Sequence, residues 1–391
     1  MSQHVAESGA ATPVQRYDKP TINDIFRLFG PEYLEKYSGQ MSSDQVKATV
    51  SIMNCRTETA GSVVYRCKQC TTVHRVPKSC GNRHCPTCQG GKAKLWLAEQ
   101  QQRLLPCSYF MMTFTVPSQF RPFMRSHPKE CYKALFDAAS KAMFKLAKDP
   151  RLLGSSNIGM TGVLHTWGRD LSYNPHVHFI VPGGAIGQDG ASWRSSSEKF
   201  FLPVKALSKI YRAKYRAIMR DAGLLEEIPN EVWSKPWNVN CKAVGDGQAS
   251  LRYLAPYVFR VAIGNYRIRK VWKDSDGRWW VEYTYRPKGE RKYRPMKVRS
   301  EEFLRRFLQH VLPTGLQKVR HFGFMHKRSK WKPNWLSMLV TVSLNLVYVL
   351  TVGLEPRVER KPMCCPECGG ELECLGHWPA PNLSTMTPDT S

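Results

Sequence analysis

Two periodicities of apolar residues recur along this chain and predict its elements. Strand-like runs, rich in β-branched and aromatic residues, occupy 109–116, 160–167, 176–183, 237–244 and 278–286. Helical spacing occupies 21–54, 92–105, 131–148, 204–223 and a stretch that starts near residue 249. Because the turn formers Asp170, Asn174 and Pro175 separate two of the strands, a hairpin is their simplest connection. Strands mixed with helices and joined by hairpins predict an α+β fold on an antiparallel sheet.

The composition is that of an ordinary globular chain, but the charge is not. The chain has 391 residues, enough for two or three domains, and its 42% hydrophobic and 23% charged residues exclude wholesale disorder and collagen-like repeats. Lys and Arg number 58 against 31 Asp and Glu, which leaves a formal net charge of +27. This surplus predicts a polyanionic partner, and we favour nucleic acid over an anionic membrane.

The N-terminal residues and the cysteines indicate the compartment. Residues 1–20 lack the apolar segment of a secretory signal and predict a flexible tail. The 13 cysteines are an odd number, and most of them are clustered. This usage favours metal-bound thiolates in a reducing compartment, the cytosol, over a disulfide framework.

An uncharged apolar segment lies near the C-terminus. Residues 335–354 carry no formal charge and are long enough to cross a bilayer. Five hydroxyl or amide residues dilute the segment, namely Ser337, Thr341, Ser343, Asn345 and Thr351. Because nothing else in the chain indicates a membrane, we expect a buried helix or strand pair here, with a membrane span as the alternative.

Two CxxC pairs predict a zinc site. Cys67 and Cys70 are followed after 14 residues by Cys85 and Cys88. Each pair places two thiolates on one tight turn, and two such turns complete a tetrahedron of zinc ligands. The functional prediction is a structural zinc module that also contacts DNA, and the alternative is a module that only holds the fold.

Other metal-ligating residues leave the ligand set open. Cys80 and His84 lie inside this region, where they replace a ligand or join Cys55 in a second site. Near the C-terminus, Cys365 and Cys368 are followed by two glycines and resemble half of a zinc ribbon. Their partner ligands are open in the sequence, with Cys374 and His377 as candidates.

A constellation of histidines predicts a catalytic metal site. His176 and His178 are two residues apart on a predicted strand, so both imidazoles point to one face while Val177 points to the other. If the two strands pair as a hairpin, His165 on the preceding strand stands beside them. Three imidazoles leave open positions on a bound divalent metal, which is the arrangement of a catalytic site. The alternative is a set of structural histidines.

A tyrosine pair follows in a predicted helix. Tyr253 and Tyr257 are four residues apart and therefore share one helix face. A metal that polarises a phosphate makes attack by a tyrosine hydroxyl feasible. Pro256 lies between them, and a proline inside a helix removes one backbone hydrogen bond at about 3 kcal/mol, which predicts a kink. Without the histidines, core packing is the simpler explanation of the pair.

The chain resembles the rolling-circle transposases of the insertion-sequence-ninety-one family, members of the HUH endonuclease superfamily. Four segments carry the resemblance, and they span about residues 60–325: SCGNRHCPTCQ, LHTWGRDLSYNPHVHFIVPGG, YLAPYVFRVAI and FLQHVLPTGLQKVRHFGF. The resemblance implies a two-tyrosine nuclease whose fold is a sheet with helices on one side, like the palm of an RNA-recognition motif.

The resemblance also implies roles for individual residues. His176 and His178 match the HUH motif, His165 matches the third metal ligand, and Tyr253 and Tyr257 match the two nucleophiles. A tyrosine attacks a phosphodiester of one DNA strand, stays attached to the 5′ end and frees a 3′ hydroxyl. The catalytic metal is expected to be Mg²⁺ or Mn²⁺, zinc is expected only at the cysteines, and no small-molecule cofactor is expected.

The sequence predicts four regions. They are a flexible tail at 1–20, a zinc-binding and DNA-binding module at 21–105, an HUH catalytic domain at 106–328 and a C-terminal region at 329–391 with the apolar segment and a CxxC pair. The sequence also predicts a bacterial, nucleoid-associated protein. The expected partner is DNA, as single-stranded or hairpin element ends and target. An inactive zinc-dependent DNA-binding relative and a plasmid relaxase or replication initiator remain as alternatives, although no GxxxxGK[ST] helicase motif is present.

Overall fold

A computed structural model describes residues 16–259, 262–287, 289–346 and 363–379. Its helices are α1 (Ile22–Tyr37), α2 (Ser43–Met53), α3 (Gly90–Gln101), α4 (Arg121–Ser126), α5 (Pro128–Ala147), α6 (Val204–Asp221), α7 (Glu231–Ser234), α8 (Gln248–Phe259), α9 (Ser300–Leu308) and α10 (Pro333–Ser343). Its strands are β1 (Arg16–Asp18), β2 (Ser62–Cys67), β3 (Val73–Pro77), β4 (Tyr109–Thr115), β5 (Gly159–Trp167), β6 (Tyr173–Pro182), β7 (Gly184–Ile186), β8 (Trp193–Ser195), β9 (Val239–Ala243), β10 (Ile268–Lys273), β11 (Trp279–Tyr285), β12 (Arg294–Arg299), β13 (Val319–Gly323) and β14 (Leu372–Trp378).

The central sheet has the strand order β13-β5-β6-β4-β9. Every pairing in it is antiparallel, and β5 and β6 form the predicted hairpin. The prediction of helices mixed with an antiparallel sheet is therefore confirmed. Each of the predicted strands, including 109–116 and 160–167, coincides with an observed strand.

Alternation along β5 and β6 gives the central sheet two different faces. On one face, Leu164, Val177 and Phe179 belong to a large core that helices α5 and α6 cover. The helix α5 suits this position because its apolar residues recur at helical spacing and its buried stripe consists largely of alanine and aromatic side chains.

Helix α8 covers part of the opposite face. Its residues Leu251, Leu254 and Val258 pack in one core with Val163 of β5 and Ile180 of β6. Helix α3 packs against α8 in turn and adds its tryptophan to the same core. Helices α3 and α8 thus lie on the side of the central sheet opposite to the large core.

A second sheet forms beside the first, with the order β1-β10-β11-β12. Its apolar face packs against α1 and α9, as in the contacts that join Phe26, Val281 and Phe307 in one core. Thr21 caps α1 reciprocally with Asp24, which fixes where that helix begins.

The core under this second sheet is built from residues on both sides of the predicted boundary at residue 105. The buried side of α1 has its partners in α9 and the strands β10 to β12, so 22–55 and 262–308 share one core. The physical reason is that the apolar face of the amphipathic α1 is buried against strands that lie more than 200 residues later in the sequence. Local sequence patterns predict the helix but do not reveal this distant partner. The division at 105 stays a prediction, but the cores do not follow it.

The C-terminal segment joins a third sheet, with the order β14-β2-β3. The predicted apolar segment at 335–354 begins in α10, where Leu336 and Val340 are buried against Trp193 and Phe324. Residues 347–354 of that segment lie outside the described residues. Within the described ranges, no helix has the length and apolar character needed to span a membrane.

Candidate active site

Three histidines meet on the face of the central sheet that α8 covers. His165 on β5 lies opposite His176 on β6, and His178 follows two residues later on the same face. Their ring centroids are 4.6 Å to 5.3 Å apart. The nearest ring nitrogens of the three lie within 4.8 Å of one another, close enough to hold one metal ion. We call this group the histidine site.

Neighbouring groups orient two of the imidazoles. Nδ1 of His176 lies 2.6 Å from the carbonyl oxygen of Asn174, and since a carbonyl only accepts, Nδ1 carries the proton and Nε2 keeps its lone pair. Nδ1 of His178 lies 2.9 Å from the hydroxyl of Thr113 on β4. Such hydrogen bonds fix the orientation and tautomer of metal-ligating histidines.

Burial keeps the histidine site uncharged. The pKa of each of His165, His176 and His178 is lowered, chiefly because burial penalises the charged imidazolium. Proximity of the other imidazoles lowers the pKa of His165 further. Three neutral imidazoles are the protonation state in which nitrogen donates to a metal.

The predicted tyrosines belong to helix α8. Positions 253 and 257 lie within its bounds, but their side chains lie outside the described residues. The helix extends through position 256, so the proline does not end it. Leu254 and Val258 of α8 pack on Val163 and Ile180, which occupy the same sheet face as the histidines. The structure therefore brings the helix that carries both tyrosines to the face of the histidine site.

A cleft of about 690 Å³ opens over the histidine site. One wall comes from β5 and β6, and the other comes from the segment that precedes β10 and the end of β11. Its lining includes the three histidines, the cations Arg169, Arg267 and Arg286, and the aromatic side chains Tyr266, Tyr285 and Tyr293. Tyr266 is 64% exposed and Tyr293 is 55% exposed, so both present aromatic surface to solvent.

Residues behind the histidine site form a layer that the sequence analysis missed. The ring of Trp167 stacks on His165 with 5.0 Å between centroids, and the Nζ atom of Lys318 lies 4.6 Å from the centre of the Trp167 ring. Burial lowers the pKa of Lys318 to about 7. His310 lies close by, where its Nε2–H donates to Leu171. Trp167, His310 and Lys318 lie in two of the segments that carry the resemblance, but only the register of β5 with its neighbours shows that they form one layer.

The four predicted zinc ligands separate into two groups. Cys85 and Cys88 lie with Cys55 and Cys80, and the four sulfurs are within 4.8 Å of one another. We call these four residues the first cysteine cluster. Distances in it are 3.4 Å between the sulfurs of Cys55 and Cys88, and 3.6 Å between those of Cys80 and Cys88. The Cys80 thiol donates to Cys85 and holds the pKa of Cys85 well below its ordinary value.

Cys67 and Cys70 lie instead with Cys365 and Cys368, again with all four sulfurs within 4.8 Å. These four residues are the second cysteine cluster. The predicted tetrahedron of Cys67, Cys70, Cys85 and Cys88 is thus not the arrangement observed. Pairing of β14 with β2 carries the C-terminal CxxC pair to Cys67, and α1 and α2 place Cys55 beside Cys85.

Three other candidate ligands, His84, Cys374 and His377, lie outside both cysteine clusters. His84 is buried, and its Nε2 accepts a hydrogen bond of 3.2 Å from the backbone of Leu312, outside both clusters. Cys374 lies on β14 opposite Tyr65 and belongs to neither cluster. His377 pairs with Val63 in the same sheet.

Comparison with known proteins identifies the family. A family model described as "Putative transposase" matches residues 159–332, and an IS91 model described as "Transposase zinc-binding domain" matches residues 25–116. The protein named "Putative transposase y4qJ" of Sinorhizobium fredii (strain NBRC 101917 / NGR234) is 34% identical over 329 residues, which cover 79% of this chain and 81% of that protein. The chain belongs to the IS91 family of transposases. No solved structure was found to match it.

A second relative agrees with this assignment of the IS91-family transposase. The "Transposase for insertion sequence element IS801" of Pseudomonas savastanoi pv. phaseolicola is 23% identical over 314 residues, which cover 74% of this chain and 72% of that protein. The zinc-binding model spans the whole first cysteine cluster and supports structural zinc in this region. It ends at residue 116, so Cys365 and Cys368 of the second cluster lie outside it.

Proposed function

We propose that this IS91-family transposase nicks and rejoins one strand of DNA by the two-tyrosine HUH mechanism. The observation that carries the proposal is the shared sheet face: His165, His176 and His178 lie on the side of the central sheet that helix α8, the tyrosine helix, covers. A nucleophile and a metal site must be adjacent for metal-assisted attack on a phosphodiester.

The palm-like catalytic domain at 106–328 fits the arrangement of the central sheet. Its antiparallel strands carry α5 and α6 on one face, while the other face holds the histidine site and α8. A sheet of this kind fixes the imidazoles on rigid strands, which suits a site that has to hold one geometry.

The residues of the histidine site fit a divalent Mg²⁺ or Mn²⁺ ion. His176 and His178 direct Nε2 away from the partners that hold Nδ1, and His165 completes three neutral nitrogen donors. Imidazole ligands suit Mn²⁺ better on grounds of softness, whereas the supply of metal favours Mg²⁺. When bound, such an ion polarises a phosphate oxygen and stabilises the charge of the transition state.

The nucleophile is a tyrosine of α8, Tyr253 or Tyr257. Its phenolic oxygen forms a bond to phosphorus as its proton is lost, and the bond from phosphorus to the 3′ oxygen breaks. The 3′ oxygen takes up a proton and leaves as a hydroxyl, while the 5′ phosphate stays on the tyrosine. Attack of a 3′ hydroxyl on this phosphotyrosine reverses the step and joins a new strand, and the second tyrosine serves the matching cleavage.

The cleft supports a single-stranded or hairpin substrate at element ends and targets. Arg169 and Arg286 supply positive charge beside the histidine site, and Tyr266 and Tyr293 supply exposed rings on which unpaired bases can stack. A stacked base must be unpaired, so this lining favours an exposed strand over an intact duplex.

Structural zinc in the first cysteine cluster supports the same assembly. A zinc ion held by Cys55, Cys80, Cys85 and Cys88 would join α2 to the segment that leads into α3, and α3 packs on α8. The N-terminal region thereby supports the tyrosine helix. The net charge of +27 over the whole chain supports additional contact of the protein with DNA.

Nicking of an end-labelled single strand that spans an element end tests the proposal. With Mn²⁺, His176→Ala and His178→Ala are expected to abolish nicking while they retain DNA binding, which also reports that the variants are folded. His326→Ala is the matched control, because His326 is exposed and outside the cleft. Nicking by His176→Ala at the wild-type rate would remove the histidine site from the mechanism.

A further inference from the structure

The second cysteine cluster joins two parts of the chain that are far apart in sequence. Cys67 and Cys70 lie at the end of β2 and in the turn that follows, whereas Cys365 and Cys368 precede β14. The sulfurs of Cys67 and Cys368 are 3.4 Å apart, and those of Cys70 and Cys365 are 3.7 Å apart. All four cysteines are free of disulfides.

These distances fit a tetrahedral metal site. Zinc–thiolate bonds of about 2.3 Å place the sulfurs of a tetrahedron about 3.8 Å apart, whereas a disulfide needs about 2.05 Å. The sulfur of Cys67 lies 3.4 Å from the backbone nitrogen of Gln69 and 3.5 Å from that of Cys70. Backbone N–H groups that donate to a sulfur favour its thiolate form, the form that binds a metal.

The two CxxC turns have the same backbone design. In the first turn, Cys67 N–H donates to Thr72 and Thr71 N–H donates to the Cys67 carbonyl. In the second turn, Cys365 N–H donates to Gly370 and Gly369 N–H donates to the Cys365 carbonyl. The fifth residue of each turn has a positive φ, 59° at Thr71 and 76° at Gly369. Two turns of one geometry that face each other are how a zinc ribbon builds its four ligands.

Contacts around the cluster hold the two segments in register. The strand β14 pairs with β2 from Leu372 opposite Cys67 to Trp378 opposite Ser62. The Nζ atom of Lys68 lies 2.9 Å from a carboxylate oxygen of Glu371. Nε2 of His74 lies 3.2 Å from the sulfur of Cys365, where an N–H from the imidazole stabilises a thiolate.

We propose that Cys67, Cys70, Cys365 and Cys368 bind a second structural zinc ion, which attaches the C-terminal segment to the N-terminal hairpin of β2 and β3. The metal closes a loop of about 298 residues between its first and third ligands. Without it, β14 is a seven-residue strand that has to pair at the edge of a small, largely exposed sheet. The C-terminal CxxC pair is therefore part of the zinc architecture of this transposase, and this inference does not depend on the nicking mechanism.

Zinc content of the purified full-length protein tests the proposal. The double variant Cys365→Ser/Cys368→Ser is expected to hold one zinc ion per chain fewer than the wild type. The matched control is Cys364→Ser/Cys374→Ser, which replaces the two neighbouring cysteines outside the cluster and is expected to lose none. Equal zinc content in the wild type and the Cys365/Cys368 variant would overturn the proposal, and so would equal losses in both variants.

Cobalt titration of the wild type after removal of its zinc keeps the test decisive if the Cys365→Ser/Cys368→Ser variant does not fold. Thiolate-to-cobalt absorption counts only sites with cysteine ligands, so the histidine site does not contribute. Saturation at two equivalents of thiolate-bound cobalt is expected, and saturation at one equivalent would contradict a second site. Limited proteolysis gives a further readout, since chelation of the metal should expose the segment at 363–379 to cleavage.

Discussion

His165 and His176 face each other across the antiparallel pair of β5 and β6, with 5.3 Å between their ring centroids. This cross-strand pair converts two local sequence features into one site, because His178 shares the face of His176. Because the histidine site lies on rigid strands, loss of a single hydrogen bond to a histidine should weaken metal binding without disrupting the fold.

The hydroxyl of Thr113 provides the first prediction. Thr113→Val removes the 2.9 Å contact to Nδ1 of His178 and leaves that imidazole free to rotate. We expect the Mn²⁺ concentration for half-maximal nicking to rise about 10- to 100-fold, with little change in the rate at saturating metal. Thr113→Ser keeps the hydroxyl and should behave as the wild type. If the valine and serine variants require the same Mn²⁺ concentration, Thr113 does not position the ligand.

Exposed tyrosines in the cleft are expected to bind unpaired bases. Tyr266→Ala should weaken binding of a single-stranded oligonucleotide by about 1–3 kcal/mol, measured by fluorescence anisotropy, whereas Tyr266→Phe should preserve stacking. Phe200→Ala is the control, since Phe200 is 49% exposed but does not line the cleft. An alanine variant that binds the strand as tightly as the phenylalanine variant would argue against stacking at this position.

Gly323 at the end of β13 is expected to be essential for stability. It has a φ of 58°, and an added Cβ would collide with the backbone carbonyl oxygen of Ile158. Gly323→Ala should lower the free energy of unfolding by about 3 kcal/mol, since strain and overpacking combine. Gly190→Ala, at a φ of 72° with no described atom within 4 Å of the added Cβ, should lose only about 1 kcal/mol. Urea denaturation measures the free energy of unfolding of both variants, and an equal decrease in both would contradict the predicted collision at Gly323.

Burial of His310 predicts a pH dependence of stability. Its pKa is lowered to about 3, chiefly by burial, with Arg125 and Lys318 lowering it further and the hydrogen bond to Leu171 and the charge of Asp170 raising it. The unfolded chain therefore binds a proton near pH 6.5 that the folded chain does not, so stability falls as the pH drops from about 6.5 toward 3, by about 1.4 kcal/mol per unit at most.

His310→Gln supplies the comparison. Glutamine does not titrate, so denaturation curves at pH 7 and pH 5 should differ less for the variant than for the wild type. The two slopes would be identical if His310 had the same pKa in the folded and the unfolded chain.

Local sequence patterns were sufficient to predict the histidine site. The spacing of His176 and His178 sets their common face, and the turn formers between the strands predict the hairpin that adds His165. The orienting role of Thr113 was not predictable, because it depends on the register of β4 against β6.

Pairing between segments that are far apart in sequence explains why the observed cysteine clusters differ from the predicted one. The spacing of Cys67, Cys70, Cys85 and Cys88 is typical of one zinc site, and the nearby Cys55 and Cys80 only leave the ligand set open. The ligands that complete each cluster arrive through β14 and through α2, elements whose partners lie far away in sequence. The same limit applies to α1, whose apolar stripe predicts a helix but not the sheet on which it packs.

The helix α8 links the histidine site to the proposed nucleophiles, and covalent capture of DNA tests this link most directly. A single strand labelled at its 3′ end is incubated with Mn²⁺ and protein, and the products are separated on a denaturing gel. The wild type should form a labelled protein–DNA adduct, and Tyr253→Phe/Tyr257→Phe should form none, whereas Tyr266→Phe should form it normally. An undiminished adduct in the double variant, or an adduct only with DNA labelled at its 5′ end, would contradict the proposed mechanism.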